Sequence, residues 1–240
     1  MTKISYEKSK SAWDGFVPFL QELICGNDIK SVCDIGGGAN PMLSSEFVKE
    51  SGVDYSILDI SEDELKKAPE QYSKVLANIA SSDFNIDKSY DMIFSKMLAE
   101  HIADADQFHK NVFSCLADGG LAVHFFPTLY TLPFFINCVI PEAFADALLN
   151  RFSPRDRYKH DKFPAYYRWC FGPTHRQMNR FKSLGYEVVE YRGFFGHGDY
   201  YNKIKILKKL HNIKTEYLLR HPNPIFTSYA IVVLKKPTNI

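Results

Sequence analysis

The run Val32-Cys33-Asp34-Ile35-Gly36-Gly37-Gly38-Ala39-Asn40-Pro41 decides how this chain is read. It opens apolar, passes an acid and three successive glycines, and ends on a proline that can start a helix. Glycine permits positive φ in a tight turn and lets backbone approach a ligand closely. At the carboxyl end of the first strand of an open α/β sheet, such a loop is where nucleotide-like ligands sit. The spacing departs from the dinucleotide pattern G-x-G-x-x-G, because Ala39-Asn40-Pro41 follows Gly38. A pyrophosphate favours a helix N-terminus without an anion beside it, and Asp34 stands just before the glycines. The loop therefore suits a ligand that carries positive charge and no phosphate. Its alternative is a simple tight turn.

Outward from the loop, strands and helices alternate. Ser11 to Cys25 spaces Trp13, Phe16, Val17, Leu20 and Ile24 as one face of a helix. Ser31 to Ile35 is the first strand, and Pro41 to Glu50 the helix after the glycines, with proline in its first turn. Asp54 to Leu58 is the second strand and ends in Asp59. Ser61-Glu62-Asp63-Glu64 has the form of a capping box, so a helix starts at Glu62 and stops before Pro69. Lys74 to Ile79 and Tyr90 to Ser95 read as strands three and four, followed by a helix from Asp104 to Leu116. A turn at Asp118-Gly119-Gly120 leads into strand five, Leu121 to Phe126.

Pro127 to Cys170 breaks the pattern, being rich in proline, aromatics and basic residues. The pattern returns with a helix at Thr174 to Leu184 and a strand at Tyr186 to Arg192. A basic helix, Lys203 to Leu219, and a last strand, Phe226 to Leu234, complete it. This order predicts an α/β fold: a Rossmann-like, doubly wound, mainly parallel sheet of seven strands with helices on both faces. The expected division is one domain: an N-terminal helical segment over 1–30, a ligand-binding half over 31–126, an insertion or lid over 127–170, and a C-terminal half of the sheet over 171–240.

Composition narrows the function. With 240 residues and 45% hydrophobic content the chain can bury a full core. A net charge of +1 gives no global attraction to nucleic acid. The five cysteines are odd in number, scattered and never in C-x-x-C, which argues against a disulfide framework or a metal site and suits a reducing cytoplasm. Residues Met1 to Lys10 lack a signal peptide's apolar core, and Leu129 to Ile140 is too short to span a bilayer.

Four features now stand in order: the acid and glycine loop, Asp59 after strand two, Tyr90-Asp91 with the later Glu100-His101, and Leu116-Ala117-Asp118-Gly119-Gly120 before strand five. In this order residues 31–126 resemble the class I S-adenosylmethionine-dependent methyltransferases. The resemblance implies S-adenosyl-L-methionine as cofactor. Asp34, Ile35, Gly36, Gly37, Gly38 and Asn40 would lie along its methionine part, where ammonium and sulfonium explain the acid. Asp59 would take the ribose hydroxyls, with Ile60 near the adenine; its other reading is a cap for the helix at Ser61. Asn78 and Ile79 stand where the family often has an acid for the adenine amino group, with Asp83 slightly downstream. Ser95, Lys96 and Met97 would line the cofactor from strand four.

Methyl transfer from a sulfonium is an in-line displacement, so positioning carries much of the catalysis, and a base helps when the acceptor is a hydroxyl. His101, His160 and Tyr166 are the catalytic candidates, His101 having a structural helix-end role as its alternative. His124, inside a strand, reads as core or wall. Arg155, Lys162, Tyr167, Arg168 and His197 are the substrate-binding candidates. A local basic cluster interleaved with aromatics fits an anionic acceptor; the plain alternative is a solvated basic face. The expected function is O-methylation of a small anionic or sugar-like acceptor, a glycan precursor included. N-methylation of a small molecule and a non-catalytic scaffold that keeps the fold are the alternatives. No N-P-P-Y-type motif follows strand four, so nucleic acid is not expected as a partner.

Overall fold

In the computed structural model, residues 1–129, 131, 164–197 and 205–238 are described. The strands are β1 (Lys3–Lys8), β2 (Ser31–Ile35), β3 (Asp54–Asp59), β4 (Ser73–Leu76), β5 (Tyr90–Lys96), β6 (Leu116–Pro127), β7 (Glu187–Phe195) and β8 (Tyr229–Lys235). They form one sheet in the order β1-β7-β8-β6-β5-β2-β3-β4. Among the described strands only β8 runs against its neighbours: β6 and β7 each pair with it antiparallel, and the other pairs are parallel. The helices are α1 (Ser9–Gly26), α2 (Ser45–Ser51), α3 (Glu62–Lys67), α4 (Ala105–Cys115), α5 (His175–Ser183) and α6 (Lys205–Arg220). The Rossmann-like, mainly parallel architecture expected from the alternation is present.

The sheet has eight strands rather than seven. The added one, β1, pairs in parallel along β7 from Lys3↔Glu190 to Lys8↔Phe195. Its sequence, Lys-Ile-Ser-Tyr-Glu-Lys, is half-exposed edge material and carries no apolar run to announce a strand. Other boundaries move by a few residues, each for a local reason. The helix after the glycines begins at Ser45, not Pro41, because Ser44 accepts a hydrogen bond from the Phe47 N–H and caps it. β4 ends at Leu76, since the chain turns where the Ser81 N–H bonds the Asn78 carbonyl. β6 starts at Leu116, and the predicted Asp118-Gly119-Gly120 turn is an irregularity inside it, where the register against β5 shifts.

The topology gathers the carboxyl ends of β2, β3, β4, β5, β6 and β7 on one edge, with the start of β8 and the β1–α1 junction beside them. The opposite edge is held by Asp91, whose Oδ2 accepts from the backbone N–H groups of Lys30 and Ser31 and from Ser31 Oγ. The acid of the Tyr90-Asp91 pair thus joins β5 to the start of β2, away from the glycine loop. Between the layers lie Val32, Ile57, Met92, Phe94, Ala122, Val123 and Val232, all essentially without exposure. This buried centre fixes the strands whose ends carry the site.

Candidate active site

The glycine loop is built around Asp34. Its carboxylate is buried, and Oδ2 accepts from Tyr55 Oη at 2.6 Å and from the Met42 N–H at 3.0 Å. The second contact folds Gly36–Pro41 back over the acid. A Cβ on Gly37 would lie 2.7 Å from Asp34 Oδ2, so only glycine lets the backbone pass. At Gly38 (φ +41) a Cβ would lie 3.0 Å from Asp59 Oδ2 and 3.1 Å from Glu64 Cβ. The loop is tied to β3 by the Gly36 N–H donating to the Leu58 carbonyl at 2.7 Å, and closed by the Asn40 N–H donating to the Gly37 carbonyl. Burial pushes the Asp34 carboxyl up to about 6, against the lowering by its Tyr55 and Met42 donors.

Asp59 stands at the end of β3, half-buried, with Oδ1 accepting from the Ser61 N–H at 2.9 Å. One carboxylate oxygen thus serves the turn into α3, and the other faces Gly38. Ile60 beside it is 64% exposed, a large apolar side chain open at the sheet's carboxyl edge, as a surface for a purine face would be. Asn78 is exposed and turns its Oδ1 to the Ala80 N–H. Ile79 packs into the core, its carbonyl held by Asn111 Nδ2, so its side chain is withdrawn from the edge.

At the end of β5 the three expected cofactor residues part company. Ser95 is fully buried, with Oγ hydrogen-bonded to His124 Nδ1 at 2.8 Å across the β5–β6 pairing, so its side chain points inward. It belongs to an interior layer with His109 and His124, both kept neutral by burial and holding pKa values below the ordinary imidazole range, His124 at about 3. Lys96 is half-buried with its ammonium 5.1 Å from the Trp13 ring centre, and burial lowers its pKa. Met97 takes a left-handed φ of +54 and donates its N–H to the Phe125 carbonyl. That turn lays Leu98 over Gly36, where a Cβ would meet Leu98 Cδ1 at 2.8 Å.

The next turn, Ala99–His101, meets the chain returning at 164–170. The Glu100 carbonyl accepts the N–H groups of both Tyr166 and Tyr167, and His101 Nδ1 lies 2.9 Å from the Pro164 carbonyl. A carbonyl can only accept, so Nδ1 carries the proton and Nε2 is the basic nitrogen of the neutral ring. Tyr166 is exposed and stands at the same junction, as does Arg168, which is exposed. The Tyr167 side chain, a substrate-binding candidate in the sequence, is buried in the core. His197 lies elsewhere on the edge, bonded to Tyr229 Oη through Nδ1 at 2.6 Å and to His211 through its N–H. Arg155, His160 and Lys162 lie outside the described residues.

Two residues of this edge were not singled out in the sequence. Trp13, read as an apolar helix position, is 42% exposed and packs edge-on against Phe125 and Tyr229 beside Lys96. Glu100 is 4% exposed, and among the described residues its Oε2 has no hydrogen-bond partner. Burial pushes this carboxyl up to about 8. Its position beside His101 in the quoted Glu100-His101 pair was the available signal.

A mainly parallel sheet with a glycine loop after its inner strand β2 and an acid at the end of β3 is the arrangement of the α/β methyltransferases. The methyltransferase domain family model matches residues 7–203, and the chain belongs to that family. It is an S-adenosylmethionine-dependent methyltransferase, and its cofactor is S-adenosyl-L-methionine. A search of the curated proteins finds no match. Among solved structures, the chain is similar to a S-adenosylmethionine-dependent methyltransferase from Clostridium acetobutylicum ATCC 824, at 13% identity and a TM-score of 0.58, covering 94% of this chain and 92% of that one. It is similar to a SAM dependent methyltransferase from Archaeoglobus fulgidus at 16% identity and 0.52, covering 95% and 97%. It is also similar to Haemonchus contortus phosphoethanolamine N-methyltransferase 2 in complex with S-adenosyl-L-methionine, at 14% and 0.53, covering 87% of this chain and 49% of that one. At these identities the likeness is one of fold.

The residues fit the cofactor. Gly37 and Gly38 let the loop backbone pack against Asp34 and Asp59 where any Cβ would collide, and an apolar Ile60 is open on the same edge. Among the described residues no helix is long and apolar enough to cross a membrane.

Proposed function

We propose that the enzyme methylates a hydroxyl of a small acceptor, anionic or sugar-like, bound beside the junction of the Ala99–His101 turn with the segment 164–170. The observation that carries this reading is the His101 contact. Its Nδ1 proton is committed to the Pro164 carbonyl, so the basic nitrogen at the end of β5 is Nε2, 3.8 Å from Glu100 Oε1, on the cofactor's edge of the sheet. Asp34 orders the loop, Gly36–Gly38 and Asp59 hold the methionine and ribose parts, and Ile60 lies along the purine. Bound there, S-adenosylmethionine supplies an electrophilic methyl group on a sulfonium. His101 accepts the acceptor's hydroxyl proton at Nε2 and passes it to solvent through its exposed side. Leu98 and Trp13 flank the site with apolar surface and limit water, and Arg168 at its rim attracts an anionic group.

A second reading, methylation of an amine, has its own observation. Glu100 is a buried carboxyl with one oxygen unpartnered among the described residues, and an amine would supply that oxygen with a hydrogen-bond donor. The two readings separate in one experiment: S-adenosylhomocysteine release is measured over paired acceptors that differ only in carrying hydroxyl or amine, and the product is mapped by mass spectrometry. Turnover of hydroxyl acceptors that collapses in His101→Gln supports the first reading. Turnover confined to amines, with His101→Gln active, sinks it.

A further inference from the structure

Helix α6 carries a feature that methyl transfer does not use. Ile206, Leu210, Ile213 and Tyr217 recur at i, i+4, i+7 and i+11, so they form one row along the helix. They are 74%, 58%, 58% and 61% exposed. The helix's buried residues, Thr215 and Leu218, lie on the opposite side and face the body of the protein. A surface helix normally turns its apolar row inward; here a complete second row faces out.

Charge surrounds that row. The helix holds Lys205, Lys208, Lys209, Lys214 and Arg220 against one acid, Glu216, in a chain whose whole net charge is +1. At helical spacing Lys209 and Arg220 border the row on one side and Lys214 on the other. The single acid is occupied, since Glu216 pairs with Lys8 at 2.6 Å. Lys214 reaches over Phe226, which is itself 45% exposed and extends the apolar surface. Long basic side chains flanking an apolar row can keep their charges in a polar layer while the row enters an apolar one.

The helix lies at the edge of the sheet that holds the site. It touches β1 and β7 where those strands end: Glu216 meets Lys8, Thr215 packs on Gly196, and His211 receives the His197 N–H. We propose that α6 is a docking surface for an anionic lipid membrane, the row entering the acyl boundary and the flanking cations meeting the headgroups. A second copy of the chain fits less well, because a self-complementary contact would set this cationic helix against its own charge. A nucleic acid would have to place phosphates on the apolar row.

The test is sedimentation of the full chain with vesicles of phosphatidylcholine alone and with added phosphatidylglycerol. Binding is expected only with phosphatidylglycerol, and added salt should release it. The double variant Ile206→Asp/Ile213→Asp should bind more weakly by about tenfold or more, while Lys209→Glu/Arg220→Glu should lose the preference for the anionic lipid. Both changes are on exposed positions, so thermal unfolding and cofactor binding should match the wild type, and this separates the docking test from the catalytic reading. The proposal is overturned if neither vesicle pulls the protein down, or if the Ile206/Ile213 variant binds as well as wild type. It is equally overturned if light scattering shows a dimer that the same variant dissociates.

Discussion

Tyr55 Oη donates a 2.6 Å hydrogen bond to Asp34 Oδ2, and this contact joins β3 to the acid that orders the glycine loop. Both groups are buried, so the carboxylate depends on Tyr55 and on the Met42 N–H for what water would otherwise supply. Tyr55→Phe removes one of the two donors and leaves the tyrosine's packing against Tyr72 and Phe94 nearly intact. The expected cost is about 1.5–3 kcal/mol, the range for hydrogen bonds to charged groups. Urea unfolding near pH 7.5 measures it, and calorimetry should show weaker cofactor binding from the loosened loop. Unchanged stability and unchanged affinity would contradict this role for the bond.

Asp59 and Gly38 form a pair whose spacing is the ribose test. Asp59→Ala removes the carboxylate while leaving the chain path open, and cofactor affinity should fall by about 10- to 100-fold, the loss of one or two charge-assisted hydrogen bonds. Gly38→Ala should weaken binding through a different route. Its Cβ would crowd Asp59 Oδ2 and Glu64 Cβ at a φ that L residues rarely adopt. Isothermal titration of both variants decides the matter. If Asp59→Ala binds like wild type, the carboxylate is only a cap for α3.

His101→Gln should lower kcat by about 10²- to 10⁴-fold with a hydroxyl acceptor while KM moves little, because a base acts in the transition state more than in binding. His101→Gln keeps an amide that can still donate to the Pro164 carbonyl, so the local fold should survive. A fall in kcat/KM carried wholly by KM would reassign His101 to positioning of the 164–170 segment.

Much of this was legible because it rests on local chemistry. The glycine loop, Asp59 and the capping at Ser61 follow from backbone rules that a short window contains. Ser95 was not legible in the same way. β5 is buried on both faces, so alternation cannot say which way a side chain points, and only the pairing of Ser95 with His124 on β6 turns the hydroxyl inward. β1 was missed for a related reason: its stability comes from β7, far away in the chain, and its own composition is that of an edge. Glu100 looked like half of a motif, and the contacts of its carbonyl with the N–H groups of residues 166 and 167, far away in the chain, are not written in any local window.

Four buried titratable groups set the pH profile of stability, and their signs oppose. Glu100 is raised from 4.5 to about 8 and Asp34 from 3.8 to about 6, both by burial. The folded state therefore holds protons that the unfolded chain has lost. Their contribution is fully present below the unfolded values and is lost as pH rises through about 6 for Asp34 and about 8 for Glu100. His124, lowered from 6.5 to about 3, and His109, lowered in the same direction, act the other way. Their contribution is present above 6.5 and is lost as pH falls toward about 3 for His124, with His109 acting in the same direction. Between pH 4.5 and 6 the carboxyls hold protons in the folded state while the histidines take them up in the unfolded one, so the slopes oppose. Stability should therefore vary least across that interval, fall as pH drops below about 4, and fall again between pH 6.5 and 8. Denaturant midpoints across pH 3.5 to 9 check this. Glu100→Gln, which cannot ionise, should remove the alkaline fall, so that the variant matches wild type below about pH 4.5 and exceeds it increasingly as pH rises toward about 8. If Glu100→Gln leaves the alkaline limb unchanged, the carboxyl is not the buried proton carrier that the fold makes it.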